Sequence, residues 1–208
     1  MLTVGLDGAA VENALSRGGL RCPLAVCGLL LGPWGWARER VVRGAGRLRP
    51  RRARCRGCRG THVLLPASVL LRRADAVTVI GLALLAKAGG AGHRSIAVQA
   101  GVPATTVRGW LRRITMVADQ VLAVLAVAAA ELGAEFMPPA PTTDPLAAVV
   151  ELLGALSRAM TLRLGGSYSP WRLAAVLSGG RLLAPAGPEL LPGWALGRNT
   201  NSLWAAGP

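Results

Sequence analysis

The sequence predicts a mainly α-helical protein with a small cysteine-bearing β-hairpin near its N-terminus, and three observations carry that prediction. All four cysteines and 11 of the 23 arginines fall within residues 21–62 of 208. From Ala74 onward, apolar residues recur at helical spacing, broken by glycines and one proline-rich stretch. Hydrophobic residues make up 52% of the chain, so a packed core is within reach and wholesale disorder is not expected.

Taken in order, residues 1–20 read as a weakly patterned leader and 21–66 as the cysteine module. Ala74–Thr115 reads as helical, with glycine-marked turns at Gly89–Gly92 and at Gly101, and a strongly apolar helix continues through Val117–Leu132. Residues 74–135 then form one helical unit. The stretch 137–145, from Met137 to Pro145, is a linker, because its four prolines lack the amide hydrogens that a helix needs. Residues 146–184 form a helical C-terminal region: Leu146–Leu164, then a short helix with Ser169 as N-cap and Pro170 at the first helical position. The spare apolar faces of Leu146–Leu164 and Ser169–Ser178 suggest a homodimer. Pro, Gly and Asn dominate residues 185–208, which read as a disordered tail.

The charge is strongly basic, at +14 from 24 basic and 10 acidic residues. Between Arg17 and Arg73 stand fourteen arginines and a single acid, Glu39, so this quarter of the chain holds +13. Such localisation favours a polyanionic partner. The first twenty residues carry Asp7 and Glu12 and do not read as a secretory signal. The apolar runs Val79–Ala86 and Val121–Ala130 fall short of the ~20 residues that span a bilayer, and Asp119, Gln120 and Glu131 bracket the second. The expected location is therefore the cytoplasm, with the nucleoid, and not a membrane. Without export, paired cysteines suggest metal before disulfides.

Those cysteines come as Cys22/Cys27 and Cys55/Cys58. Zinc takes four soft ligands in a tetrahedron, usually from two short turns that each supply two thiolates. Gly57 and Gly60 would let the second turn curl around the metal. Trp34–Arg43 and Arg47–Arg54 read as two strands around Gly44-Ala45-Gly46, a hairpin that returns the chain to its first pair. This is the layout of a zinc ribbon, with structural zinc as cofactor. His62, four residues after Cys58, is an alternative ligand but reads as a surface histidine. Arginines of the hairpin, Arg49, Arg51 and Arg52 among them, suit phosphates. The indoles of Trp34 and Trp36 either stack on bases or pack the ribbon, with packing preferred.

His93–Arg113 carries a second pattern. Ala97 is the small residue where two helices cross, Gly101 sits four later where a tight turn needs positive φ, and Ile96, Val102, Val107 and Trp110 hold the apolar positions. Pro103 starts the second helix, with Thr105 and Thr106 outward in its first turn. The preceding helix, Ala74–Ala88, completes a three-helix unit. This is the pattern of a helix-turn-helix, and its outer face carries Arg94, Arg108, Arg112 and Arg113 with no acid. Docked in a major groove, Thr105, Thr106 and Arg108 approach base edges while Arg112 and Arg113 hold phosphates.

Together, the four cysteines, the Arg-Gly-Thr-His-Val-Leu-Leu-Pro segment at 59–66 and the Gly-His-Arg-Ser-Ile-Ala…Val-Arg-Gly-Trp-Leu-Arg-Arg unit resemble the N-terminal DNA-recognition half of insertion-element transposases. They are also similar to a group of uncharacterised helix-turn-helix proteins from high-GC bacteria. The resemblance covers roughly residues 20–115 and implies binding to double-stranded DNA. Such transposases add three separated acids in a catalytic domain. After residue 115 this chain offers only Asp119, Glu131, Glu135, Asp144, Glu151 and Glu189, on expected helices, linker or tail. The expected function is a non-enzymatic, sequence-specific DNA-binding protein, either a transcriptional regulator or an accessory factor of a mobile element. The alternative is a partial transposase whose catalytic domain is missing or on another chain.

Overall fold

A computed structural model describes residues 1–5, 7–24, 26–131 and 144–185. About half of these are helical, in six helices, and the strands gather into a four-stranded sheet and a separate two-stranded hairpin. The linker expected at 137–143, the end of the helix expected to run to Leu132, and the tail from residue 186 lie outside the described residues.

The sheet begins within residues 1–20, the stretch read as a weakly patterned leader. Leu2–Thr3 forms β1 and pairs in parallel with β6, Thr61–Leu65. Helix α1, Gly8–Ser16, starts where the Asp7 carboxylate accepts the Ala10 amide at 2.9 Å, which satisfies one of the first-turn donors that a helix leaves unpaired. α1 then lays Val11 and Leu15 over the sheet, onto Val4, Leu31, Ala53 and Leu64. A two-residue strand and a nine-residue helix are too short to give a legible period, and only the Asp7 cap signalled them.

The expected single hairpin is present, but in two pieces. β2, Leu31–Trp36, pairs antiparallel with β5, Arg51–Cys55, while β3, Arg40–Val42, pairs with β4, Gly46–Leu48. One extra residue on β2 between Pro33 and Trp36, where Gly35 has φ +83°, makes a bulge that breaks the regular pairing. β6, which the sequence reading did not foresee, pairs with β5 and completes the order β1-β6-β5-β2.

Helices α2 (Val77–Ala88), α3 (His93–Ala100), α4 (Ala104–Glu131), α5 (Pro145–Leu164) and α6 (Pro170–Leu177) share one apolar core. α2 starts three residues later than expected, because the backbone of Ala74 and Ala76 is bonded to Arg43 in the β3–β4 hairpin. α4 runs unbroken for 28 residues, so the helix expected at Val117–Leu132 continues the second helix of the His93–Arg113 unit. Pro145 belongs to α5 and not to a linker: it occupies the first turn, and Asp144 caps it by accepting the Leu146 amide at 2.9 Å. Ser169 holds the N-cap position of α6 without a side-chain cap bond. The apolar faces of α5 and α6 pack against α2 and α4 of the same chain, which removes the observation that suggested a dimer. α4 and α5 are each long and apolar enough to cross a membrane, although no uninterrupted apolar run in them is.

The β3–β4 hairpin meets the helical body along a seam, and β1 meets it separately where Gly180 lies against Thr3. Arg43 donates to Asp75 at 2.9 Å, the Arg43 amide donates to the Ala74 carbonyl, and the Ala76 amide donates back to the Arg43 carbonyl. Gly44, at φ +79°, lies so close to Val79 that a Cβ there would collide with it. Val42, Leu65, Val69 and Ala76 fill the seam.

Candidate functional site

Two turns bring the four cysteines to one end of the sheet. The first is closed by the Cys22 amide donating to the Leu29 carbonyl and the Leu31 amide to the Leu20 carbonyl, both at 2.8 Å. The second is the β5–β6 connection, closed by the Cys55 amide on the Gly60 carbonyl at 2.9 Å. Its left-handed residue is Arg59, φ +61°, and not either glycine. A Cβ at Gly57 would meet the far end of the exposed Leu29 side chain and sit 3.4 Å from the Cys27 Sγ.

All four Sγ atoms lie within 4.8 Å of one another. Cys22 and Cys58 are 3.7 Å apart and Cys27 and Cys55 are 3.4 Å apart, so each close contact joins one turn to the other. A metal holding thiolates at ~2.3 Å in a tetrahedron sets sulfurs about 3.8 Å apart, whereas a disulfide needs ~2.05 Å. The four cysteines are free thiols, and their spacing fits a metal ion.

Backbone donors add to the fit. Amides of Leu29 and Cys58 donate to Cys27 and hold its thiol down at about 7, which favours the thiolate that a metal binds. Burial pushes the Cys22 thiol up to about 12, against the Leu24 amide that donates to it, and a bound metal would have to displace that proton. His62 does not behave as a plain surface residue: it is half-buried on β6, with Nε2 3.6 Å from the Cys22 Sγ. Burial lowers its pKa.

The hairpin arginines are less uniform than the sequence implied, because three of them pair with acids, two of which come from outside the segment. Arg51 pairs with Glu12 of α1 at 2.7 Å and donates to the Gly35 carbonyl at 3.2 Å, and only 19% of its side chain is exposed. Arg47 pairs with Glu39 and Arg43 with Asp75. Arg49 is exposed and lies outside any strand, whereas Arg52 is half-buried on β5, on the sheet face opposite to Ala53 and Cys55. Trp34 and Trp36 do not pack the sheet. They are 49% and 46% exposed, with the Arg54 guanidinium 4.4 Å over Trp34 and that of Arg51 4.4 Å over Trp36.

In the second region, the turn between α3 and α4 has the backbone the sequence called for: Gly101 is left-handed at φ +63°, and the Val102 amide returns to the Ala97 carbonyl at 3.1 Å. Ile96, Ala97, Val102, Val107 and Trp110 are all buried. Arg94, Thr105, Arg108 and Arg112 are exposed, whereas Thr106 is half-buried and Arg113 folds back to donate to the Gly109 carbonyl at 3.3 Å. The cysteine cluster and this outer face of α3–α4 are separate sites, one on each region.

Comparison with protein-family models, curated proteins and solved structures finds no match.

Proposed function

We propose that the chain is a sequence-specific double-stranded DNA-binding protein, without catalytic activity of its own, that combines a structural zinc ribbon with a helix-turn-helix. The observation that carries this reading is the α3–Gly101–α4 unit. A short helix, a left-handed turn and a buried small residue at the crossing leave the first turns of α4 open, with Thr105, Arg108 and Arg112 exposed. No acid stands between Lys87 and Asp119 to oppose a phosphate backbone. In the ribbon, Cys22, Cys27, Cys55 and Cys58 would hold the zinc, which fixes the two turns and orders the arginine-rich strands. A regulator or mobile-element accessory in the cytoplasm, resembling the recognition half of a transposase, accommodates both regions.

Selection of bound sequences from a random duplex pool tests the reading. Enrichment of one motif is expected, and Arg108→Ala should cost about 1–3 kcal/mol on that motif while leaving scrambled duplex binding nearly unchanged. Failure to retain any duplex at low salt would end it.

A further inference from the structure

We infer that the β2 edge of the sheet binds unpaired nucleotides, with Trp34 and Trp36 as stacking surfaces and Arg49, Arg52 and Arg54 as phosphate partners. The inference deepens the nucleic-acid reading of the arginine-rich sheet and rests on it. Its starting point is that two indoles, the largest apolar side chains available, take no part in any buried cluster of the sheet. Each is nearly half exposed on a strand that lies at the edge of the order β1-β6-β5-β2. Neither is loose. A guanidinium sits 4.4 Å from each ring centroid, and Arg49 adds a second over Trp36 at 5.8 Å. A guanidinium stacked on an indole helps to hold the plane of the ring, and both tryptophans keep nearly half of their surface exposed.

The bulge decides how the two rings are presented. Leu31 and Cys55 stand opposite one another in the core under α1, so alternation puts Arg54 and Trp34 on the face away from α1. The extra residue at the bulge then sets Trp36 opposite Arg51, on α1's side. A nucleotide chain crossing this edge therefore meets one indole from each side. Every base has a π-face, so stacking is indifferent to sequence, but the bases of a duplex are already stacked on each other. The chemistry selects unpaired bases. Arg49, Arg52 and Arg54 have no acidic partner among the described residues, while Arg51 is held by Glu12 and acts as the support beneath Trp36.

The experiment is fluorescence anisotropy of zinc-loaded full-length protein with labelled dT15, rU15 and a 15-base-pair duplex, at several salt concentrations. Trp34→Ala should weaken dT15 or rU15 binding about 10-fold, and Trp34→Ala with Trp36→Ala about 100-fold, with duplex affinity changed less than about twofold. The log–log salt slope should not move, since no charge is lost. Phenylalanine at both positions should recover single-strand affinity to within about threefold, and Arg54→Lys should fall between. Preference for dT15 or rU15 supports the inference and names the sugar. Unchanged single-strand affinity in the double alanine variant overturns it. So does equal loss in the alanine and phenylalanine variants, which would make the rings structural, or displacement of dT15 by polyglutamate at equal charge, which would make the edge a general anion surface. Wild-type binding to duplex but to neither single strand defeats this inference and leaves the proposed function standing. Binding to none of the three defeats both.

Discussion

Among the described residues, the sheet's own core beneath α1 holds nine buried residues, two of them cysteines, whereas the helical body's core holds thirty-one, nearly all aliphatic, with two tryptophans among them. At ~25 cal/mol per Å² of apolar surface removed from water, the larger core can fold its helices without help. The smaller cannot, because a sheet with this density of arginine buries too little. The same chain thus uses two sources of order: burial from α2 to α6, and four convergent thiols from β1 to β6. The exposed features follow the same division, with a helical turn exposing short side chains in one region and a cation-rich edge near a four-cysteine cluster that could hold a metal ion in the other.

The strongest way to break this comparison is to remove the metal. Chelation, or Cys55→Ser, should abolish the sheet's structure while the helices persist, because structural zinc in small modules contributes roughly 10 kcal/mol or more of apparent folding free energy. About one zinc per chain by elemental analysis, and far-UV circular dichroism that keeps its helical signal after chelation, are the expected results. Helices and sheet lost in one transition would show that the regions are not separate sources of order.

An equal and opposite test loads the helical core. Gly81 on α2 lies directly under the Trp171 ring of α6, leaving no room for a methyl group. Gly81→Ala gains up to ~1 kcal/mol in helix propensity but forces a rigid indole to move, and overpacking of this kind costs about 1–3 kcal/mol. The net effect should be a lower melting temperature for the helices with zinc content unchanged.

What the sequence revealed follows the same contrast. The four ligands, the turn at Gly101 and the five residues around the α3–α4 crossing were legible because each depends on residue type at short range. The apolar period of α4 and α5 was legible because long helices repeat it often. The parts that were missed depend on distant partners. β1 makes sense only beside β6, sixty residues later, and Arg51 looked like a free cation until Glu12 came over it from α1. Trp34 and Trp36 were expected to pack the ribbon, and no local signal reveals the bulge at Gly35 that sets them on opposite faces of the sheet. The Asp144-Pro145 step was read as a break when it is a helix start, since proline before an apolar period fits either.

The seam between the regions gives a smaller effect. Asp75 is buried with the Arg43 guanidinium as its one ionic partner among the described residues, and that guanidinium is about half exposed, which screens the pair. Arg43→Ala should cost about 1–2 kcal/mol, chiefly from stranding a buried carboxylate. Its sharper signature is uncoupling. If the seam transmits order, chelation lowers the melting temperature of the wild-type helices by a few degrees, and in Arg43→Ala it lowers it much less. An identical shift in both proteins would assign the coupling to Val42, Leu65 and Ala76 instead.

The smallest effect concerns which arginines reach phosphate. Treated as a uniform basic strip, Arg49, Arg51 and Arg52 would each release about one counterion on binding, so their joint replacement by alanine would flatten the log–log salt dependence by about three units. Arg51 does not have that freedom. Its guanidinium is stacked on Trp36, donates to the Gly35 carbonyl and pairs with Glu12, whose charge already balances it. To meet a phosphate it would have to leave all three. The triple variant should therefore lose about two units, the same as Arg49→Ala with Arg52→Ala, and Arg51→Ala alone should lose close to none. Glu12→Gln sharpens the test. By removing the competing charge, it frees Arg51 for phosphate and should steepen the salt dependence by up to about one unit over wild type. Should Arg51→Ala by itself flatten the slope by a full unit, the ion pair with α1 yields to DNA, and the two sides of the sheet are less distinct than their geometry implies.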